Sequence, residues 1–208
     1  MRPRSVPDRK AKPEREDLRP VMTTTSDEDR CALLRIARWA IEAHLSGSVP
    51  PSVEAEASLA RRTGAFVTIY SGGRLRGCIG YVEPDFALVQ VVARCAVAAS
   101  STDPRFPAVT QEELPHLSLE ISILGPLEPA GSLDDIEVGR HGLAVEDNDR
   151  RGLLLPQVCR EFGWDAAGFV AQVCLKAGLA RDAWPGTARL WRFEAEVFSE
   201  DAYVARGR

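Results

Sequence analysis

The chain has 208 residues, a length that suits one domain or a domain with a small subdomain. Its composition, 45% hydrophobic and 27% charged, is ordinary for a globular protein, and no apolar run approaches the roughly 20 residues that a membrane helix needs. Since the net charge is −4, nothing general favours nucleic-acid binding, and we expect neither a membrane protein nor a nucleic-acid-binding protein.

The five cysteines are odd in number and far apart, which indicates reduced thiols and a cytoplasmic location. They are Cys31, Cys78, Cys95, Cys159 and Cys174. No pair has the Cys-x-x-Cys spacing of a zinc site or a redox site, and no two histidines lie four residues apart. The N-terminal arginines have no apolar run behind them, so no secretory signal is expected. We expect no metal and no cofactor.

Residues 1–25 are predicted to form a disordered basic tail. The first 20 residues contain four prolines, seven Lys or Arg and four Asp or Glu, and this low hydrophobicity with scattered proline is typical of disorder. Residues 26–208 are expected to form a single domain, with room for a small α/β subdomain around 139–185.

The elements that follow alternate irregularly between helices and hairpins. Ser26 can cap a helix that ends at Gly47, and a second helix with Asp85 as its cap covers 86–100. Strands are predicted at 66–70, 75–82, 117–124, 143–145, 152–155 and 188–198, and further helices at 157–162 and after Asp165. This order predicts an α+β fold, with a mainly antiparallel sheet built from hairpins and with helices packed on it.

The hairpin that turns at Gly72-Gly73 carries the residue of greatest chemical interest, Cys78. Strict alternation along 75–82 would place Leu75, Gly77, Ile79 and Tyr81 on one face, and Arg76, Cys78, Gly80 and Val82 on the other. On that expectation a permanent cation, Arg76, lies beside the thiol and favours the reactive thiolate. Thr68, Glu120, Ser122, Glu194 and Glu196 are expected on the same polar side of the sheet.

The segment Leu75-Arg76-Gly77-Cys78-Ile79-Gly80 resembles the signature of the AMMECR-one (AMMECR1) domain family. Further matching stretches occur in the same order along the chain, over about residues 29–201: 64–68, 103–107, 119–122, 139–143, 153–158 and 176–179. Prokaryotic members include protein A of the AmmeMemoRadiSam system. The resemblance implies association with a Memo-type protein and a radical S-adenosylmethionine enzyme, but the family has no agreed biochemical activity.

Two classes of function therefore stay open. In the first, the protein is a small enzyme or ligand-binding domain in which Cys78 is the nucleophile, His141 the general base or acid, and Glu120 the group that orients it. In the second, it is a non-catalytic adaptor for the partner proteins named above. Cys78 could equally be a small residue filling a tight glycine-lined gap, and the same three side chains could in principle hold one metal ion, although we expect none.

Ligand-binding roles are predicted for Arg76, Gly77, Gly80, Asp103 and Arg105, with a small molecule as the ligand. Two glycines in one strand often mark a close approach of ligand or backbone. Asp103 and Arg105 lie on either side of Pro104 in the loop 102–107, and they either pin that loop through hydrogen bonds or place a guanidinium at a pocket rim.

Overall fold

The computed structural model describes residues 24–48, 58–82 and 85–204. Most of the predicted tail lies outside the described residues, but its last residue, Thr25, is 2% exposed. The Thr25 hydroxyl donates a hydrogen bond to Glu196 Oε2 (2.7 Å). A distant carboxylate therefore holds Thr25 against the folded domain, and the disordered tail stays a prediction.

The described residues form six helices and seven strands. The helices are α1 (Asp27–Ser46), α2 (Leu88–Ser101), α3 (Pro156–Phe162), α4 (Ala166–Lys176), α5 (Ala183–Gly186) and α6 (Glu200–Val204). The strands are β1 (Ala65–Ser71), β2 (Arg74–Tyr81), β3 (Leu117–Leu124), β4 (Glu128–Pro129), β5 (His141–Asp147), β6 (Arg150–Leu154) and β7 (Arg189–Ser199). No helix in these ranges is both long enough and apolar enough to cross a bilayer.

The first helix begins and ends where the sequence predicts. The Ser26 side chain accepts a hydrogen bond from Asp29 N, and Gly47 ends the helix with a φ of +67°, a left-handed conformation that costs glycine little. The prediction for the second helix is wrong at its start. Its N-cap is Ala87, which makes no side-chain hydrogen bond, and not Asp85.

All strands belong to one antiparallel sheet with the order β2-β1-β3-β7-β5-β6, and β4 also pairs with β7. The α+β prediction is confirmed. The last long strand joins the two halves of the sheet, because the second half of β7 pairs with β3 and its first half pairs with β5.

Three groups of buried side chains lie on this sheet. One lies between α1, α2 and the first three strands, and includes Leu33, Val92 and Leu119. A second packs α4 on β5 and β6. The third joins Phe193 to Leu153, with Phe66 packed against it.

Phe66 belongs to β1 and Leu153 to β6, which are four positions apart in the strand order. Their packing into one group shows that the sheet curls. We call the face of β1, β2 and β3 that is turned away from α1 and α2 the outer face. Because the sheet curls, the outer face approaches the β5–β6 hairpin and the helices α3 and α4 that follow it. The sequence-based subdomain around 139–185 stays a prediction.

The β1–β2 hairpin has a bulge that breaks the predicted alternation. Leu75 pairs with Tyr70 and Gly77 pairs with Ile69, so Arg76 is the extra residue in β2. Leu75 therefore shares the face of Tyr70, and the expectation that it lies on the face of Gly77 and Ile79 is wrong. Because the bulge adds one residue to β2, the residues of β2 that precede Arg76 lie on the face opposite to the one that strict alternation predicts.

Gly77 is required by packing. A Cβ atom at this position would lie 2.1 Å from the carbonyl oxygen of Ala99, near the end of α2. We expect Gly77→Ala to lower the free energy of unfolding by about 2–3 kcal/mol, because strand and helix backbone must separate to admit the methyl group. Urea unfolding followed by circular dichroism measures the change.

Gly131→Ala is the matched control, since the nearest atom to its added Cβ is 3.7 Å away, an ordinary contact distance. A change below about 0.5 kcal/mol is expected there. Equal stability of the two variants would contradict the packing explanation for Gly77.

Candidate functional site

Cys78 lies on the curled outer face, held from three sides. The Thr68 hydroxyl donates to Cys78 Sγ (3.3 Å), and the two residues are direct partners across β1 and β2. The Cys78 backbone N–H donates to Asp103 Oδ2 (2.8 Å), and its carbonyl accepts from Arg105 Nη2 (3.1 Å). Cys78 is partly exposed.

Asp103 is the centre of this local network. It is 4% exposed and accepts hydrogen bonds from Arg105 Nε (2.9 Å) and Arg105 Nη2 (2.7 Å) in addition to the Cys78 amide. The Arg105 guanidinium holds the pKa of the Asp103 carboxyl well below its usual range, and the Cys78 amide acts in the same direction. Asp103 and Arg105 thus pin the loop, as one of the two sequence readings predicts, and they also fix the backbone of Cys78.

The cation beside the thiol is Arg105. Its pKa is raised mainly by Asp103, and the Cys78 side chain contributes. Arg76, which the sequence placed in this role, instead binds Glu113 with two nitrogens (2.8 and 3.0 Å) and donates to the carbonyls of Pro107 and Ala108. Because the bulge makes Arg76 the extra residue of β2, its guanidinium is used in tying the 107–113 loop to the sheet.

Of the five residues with predicted ligand-binding roles, three make packing contacts or hydrogen bonds with other parts of the protein. Gly77 lies against α2, a Cβ at Gly80 would lie 2.3 Å from the Phe66 ring, and Arg76 is bound as described. Asp103 and Arg105 contact Cys78 directly. The ligand-binding roles of all five stay predictions, and the structure gives each one an internal contact.

Two polar residues, Thr68 and Glu120, lie next to Cys78 on the neighbouring strands β1 and β3. Thr68 pairs with Cys78 on one side and with Glu120 of β3 on the other, which places the last two about 10 Å apart at the backbone. Tyr70 lies two residues after Thr68 in β1, on the same face of the sheet, and interacts with the Glu120 carboxylate. Burial raises the pKa of Tyr70 to about 12, and the negative charge of Glu120 adds to this.

Tyr70 and Glu120 form one wall of a cleft of about 630 Å³. The other lining residues come from the loop before β5, from α3 and from β7: Glu137, Gly139, Arg140, Pro156, Gln157, Arg160, Glu161, Glu194, Ala195 and Val197. Burial raises the pKa of Glu120, and the nearby Glu161 carboxylate raises it further, while Tyr70 acts in the opposite direction.

The two glutamates of the last strand take different positions. Glu194 lines the cleft, as predicted, and forms an ion pair with Arg140 (2.8 Å). Glu196 was expected on the same polar side, and this is wrong. The register pairs it with Ile123, on the face covered by α1, where it binds Arg30 (2.6 Å).

His141 lies at the far end of this region, at the start of β5 and opposite Glu194. Its Nδ1 atom accepts a hydrogen bond from the Glu137 backbone N–H (3.0 Å), and burial lowers its pKa. Within the described residues, no hydrogen bond or ion pair joins His141 to Cys78 or Glu120. The structure therefore brings together Cys78 and Glu120 through Thr68 and Tyr70, and places His141 with another set of charges.

Lys176 is a candidate site residue that the sequence alone did not single out. It is the last residue of α4, and it is close enough to Cys78 and Arg105 for their charges to influence it. The residue as a whole is exposed, but burial of its amine lowers its pKa, an effect that the thiol opposes and Arg105 reinforces. A signal was present, because Lys176 begins one of the stretches that resemble the AMMECR1 family.

The other thiols differ from Cys78. Cys95, Cys159 and Cys174 are buried, and burial raises the pKa of each, that of Cys95 to about 12. Cys95 lies on the buried side of α2, within the core. Over the described ranges, no group of three or more His, Cys, Asp or Glu side chains is arranged to hold a metal ion.

We expect Asp103→Asn to lower the free energy of unfolding by about 2 kcal/mol at pH 7, less than a fully buried ion pair would give because the Arg105 side chain is 52% exposed. The native pKa of Asp103 is depressed, so its stabilising effect is complete above the unfolded pKa of about 3.9 and is lost as the pH falls below it. Urea unfolding of both proteins between pH 7 and pH 3 measures the difference.

Asp134→Asn provides the control, since Asp134 is exposed. Its effect should be small at every pH. A stability difference between wild type and Asp103→Asn that stays constant or grows on acidification would contradict the account.

The comparisons with known proteins agree with the motif and the fold. The AMMECR1 family model matches residues 34–198. A protein of Methanothermobacter thermautotrophicus is 45% identical over 185 residues, covering 84% of this chain and 95% of its own, and one of Thermococcus kodakarensis is 42% identical over 183 residues, covering 81% and 89%.

The crystal structure of an uncharacterized protein from Pyrococcus horikoshii has the same fold, with a TM-score of 0.77 and 39% sequence identity. The match covers 82% of this chain and 90% of that one. The family match over most of the chain, the identities above 40% and the shared fold lead to one conclusion: this chain belongs to the AMMECR1 family.

Proposed function

We propose that this protein binds a small polar molecule in the cleft beside Tyr70 and Glu120 and acts on it through the thiol of Cys78. The observation that supports this most is the setting of the thiol. Cys78 is partly exposed, accepts a hydrogen bond from Thr68, and has Arg105 and the desolvated amine of Lys176 beside it. Reactive cysteines occupy electropositive, partly exposed environments of this kind.

In this proposal Lys176 is the general base and acid, the role that the sequence suggested for His141. Burial lowers the pKa of Lys176, the direction that favours its amine as the acceptor of the thiol proton. The thiolate attacks an electrophilic carbon of the ligand, so that a carbon–sulfur bond forms and the bond to the leaving group breaks. The Lys176 ammonium returns its proton to the leaving group, and Arg105 supplies positive charge for any oxyanion that develops.

The adaptor function stays as a second candidate, since one observation favours it. Two large aromatic side chains are unusually exposed, Trp39 on α1 (50%) and Phe162 at the end of α3 (64%). Exposed aromatic side chains are common at protein interfaces. A Memo-type protein and a radical S-adenosylmethionine enzyme are the partners that resemblance to the AmmeMemoRadiSam system suggests. A cytoplasmic location suits the five free cysteines under either function.

We expect Cys78 to be alkylated faster by iodoacetamide than any other cysteine of the native protein at pH 7. Cys31 is the other partly exposed thiol, so mass spectrometry compares the rates at Cys78 and Cys31 in the wild type, and Cys31→Ser is the background for the variants. In that background, Lys176→Met should slow the reaction about 3–10-fold, because removing the amine removes both the proton acceptor and the positive partner of the thiolate.

Arg181→Met controls for the loss of a cation, since Arg181 is exposed and lies outside the contacts of Cys78. It should leave the rate unchanged. An equal rate in the Lys176→Met protein, or faster alkylation of a buried thiol, would count against a Cys78 nucleophile. Cys78→Ser, which keeps the size of the side chain, should leave the melting temperature within a few degrees of that of the wild type. A large loss of stability would instead assign Cys78 to packing.

A further inference from the structure

We propose that His141 is a pH-sensitive switch in the wall of the cleft. While its imidazole is neutral, it fixes residues 137–140 as part of that wall, and protonation of the ring releases them. The switch follows from the contacts of His141 and does not involve Cys78. Only its consequence, that acid changes how the cleft receives a ligand, rests on the proposed function.

His141 and Glu137 are joined by two reciprocal hydrogen bonds. The Glu137 backbone N–H donates to His141 Nδ1 (3.0 Å), and the Glu137 carbonyl accepts from the His141 backbone N–H (2.9 Å). The Arg140 backbone N–H donates to the same carbonyl (3.1 Å), and Gly139 completes the turn with a φ of +83°. The imidazole therefore closes the turn 137–141.

The hydrogen bond to Nδ1 exists only while the ring is neutral. A neutral imidazole has one donor and one acceptor nitrogen, so an Nδ1 atom that accepts requires the proton to be on Nε2. An imidazolium ring donates from both nitrogens, and its Nδ1–H would face the Glu137 N–H. Protonation therefore sets two donors against each other at a residue that is only 9% exposed, where a lost hydrogen bond is not easily replaced by water.

The charges around the ring also oppose its protonation. Burial, Arg192 and Arg140 lower the pKa of His141, whereas Glu194 and Glu137 act in the opposite direction. Both of these carboxylates already bind Arg140 (2.8 and 3.0 Å), so a protonated ring would be a third cation among paired groups. The acidic and basic side chains of the elements around this segment are Arg192 and Glu194 of β7, Glu128 of β4, Arg160 and Glu161 of α3, and Asp135, Glu137 and Arg140 of the loop itself.

Acid therefore favours the open turn, because only there does the ring regain an ordinary pKa. The released segment shapes the cleft, since Glu137, Gly139 and Arg140 all line it. A Cβ atom at Gly139 would lie 2.1 Å from Arg160 Nε, so the turn lies directly against α3, and Arg140 connects it to Glu194 of β7. Opening of the turn separates these walls and moves the Arg140 charge.

The test is NMR spectroscopy of the full-length protein between about pH 7.5 and pH 5, the range in which histidine titrates. We expect the His141 ring to be the Nε2–H tautomer at the upper pH and to titrate with a midpoint below about 6.5. The hydrogen-exchange protection factors of the Glu137 and Arg140 amides, which correct for the intrinsic effect of pH, should fall at least about 5-fold on acidification.

His141→Asn places an oxygen acceptor, which does not titrate, at the position of Nδ1. In this variant both amides should keep the same protection throughout the pH range. His116→Asn is the matched control, because His116 is exposed, and it should retain the pH dependence of the wild type. If His141→Asn does not fold, the ring titration and the amide protection of the wild type decide the matter.

An Nδ1–H tautomer, a midpoint at or above about 6.5, or protection of Glu137 and Arg140 that does not change with pH would overturn the inference. So would the wild-type pH dependence in the His141→Asn protein. Loss of protection at Glu137 alone would contradict release of the whole segment. None of these measurements involves the thiol, so if the switch titrates while alkylation of Cys78 is independent of Lys176, only the proposed nucleophile is wrong.

Discussion

The double pairing of β7 is the constraint on which the rest of the structure depends. One strand of 11 residues hydrogen-bonds to β3 through its second half and to β5 through its first half. The two halves of the protein have separate groups of buried side chains, and this strand makes them one sheet. Since the sheet also curls, side chains of α3 and α4 come to lie over the outer face of β1, β2 and β3.

Within that frame, a single carboxylate organises the thiol. Asp103 is almost fully buried, and it receives the Cys78 amide and the Arg105 guanidinium together. Two consequences follow from one contact: the loop before β3 is tied to the edge strand β2, and a cation is held beside Cys78. The arrangement shows how an internal ion pair that offsets its own desolvation can also determine the environment of a neighbouring reactive group.

The cleft next to the thiol has an opposite electrostatic character. Asp103 meets a cation and its pKa is depressed, whereas Glu120 meets a phenol and another carboxylate and its pKa is raised. The pKa values of these two carboxyl groups are thus shifted in opposite directions by their neighbours, although both lie close to the strands around Cys78. The candidate site lies where these two environments adjoin, at Thr68 and Tyr70.

Local sequence determined the caps of α1, the two hairpins, the α+β class and the family, because each is encoded by residues close together in the chain. Only the tertiary structure decided which cation lies beside the thiol. A one-residue bulge assigns Arg76 to Glu113 and leaves Arg105 for Cys78, and alternation counted along a strand does not reveal a bulge. The same holds for Lys176 and Glu161, which are about 100 and 80 residues from Cys78 in sequence and reach its surroundings because the sheet curls and β7 joins its two halves.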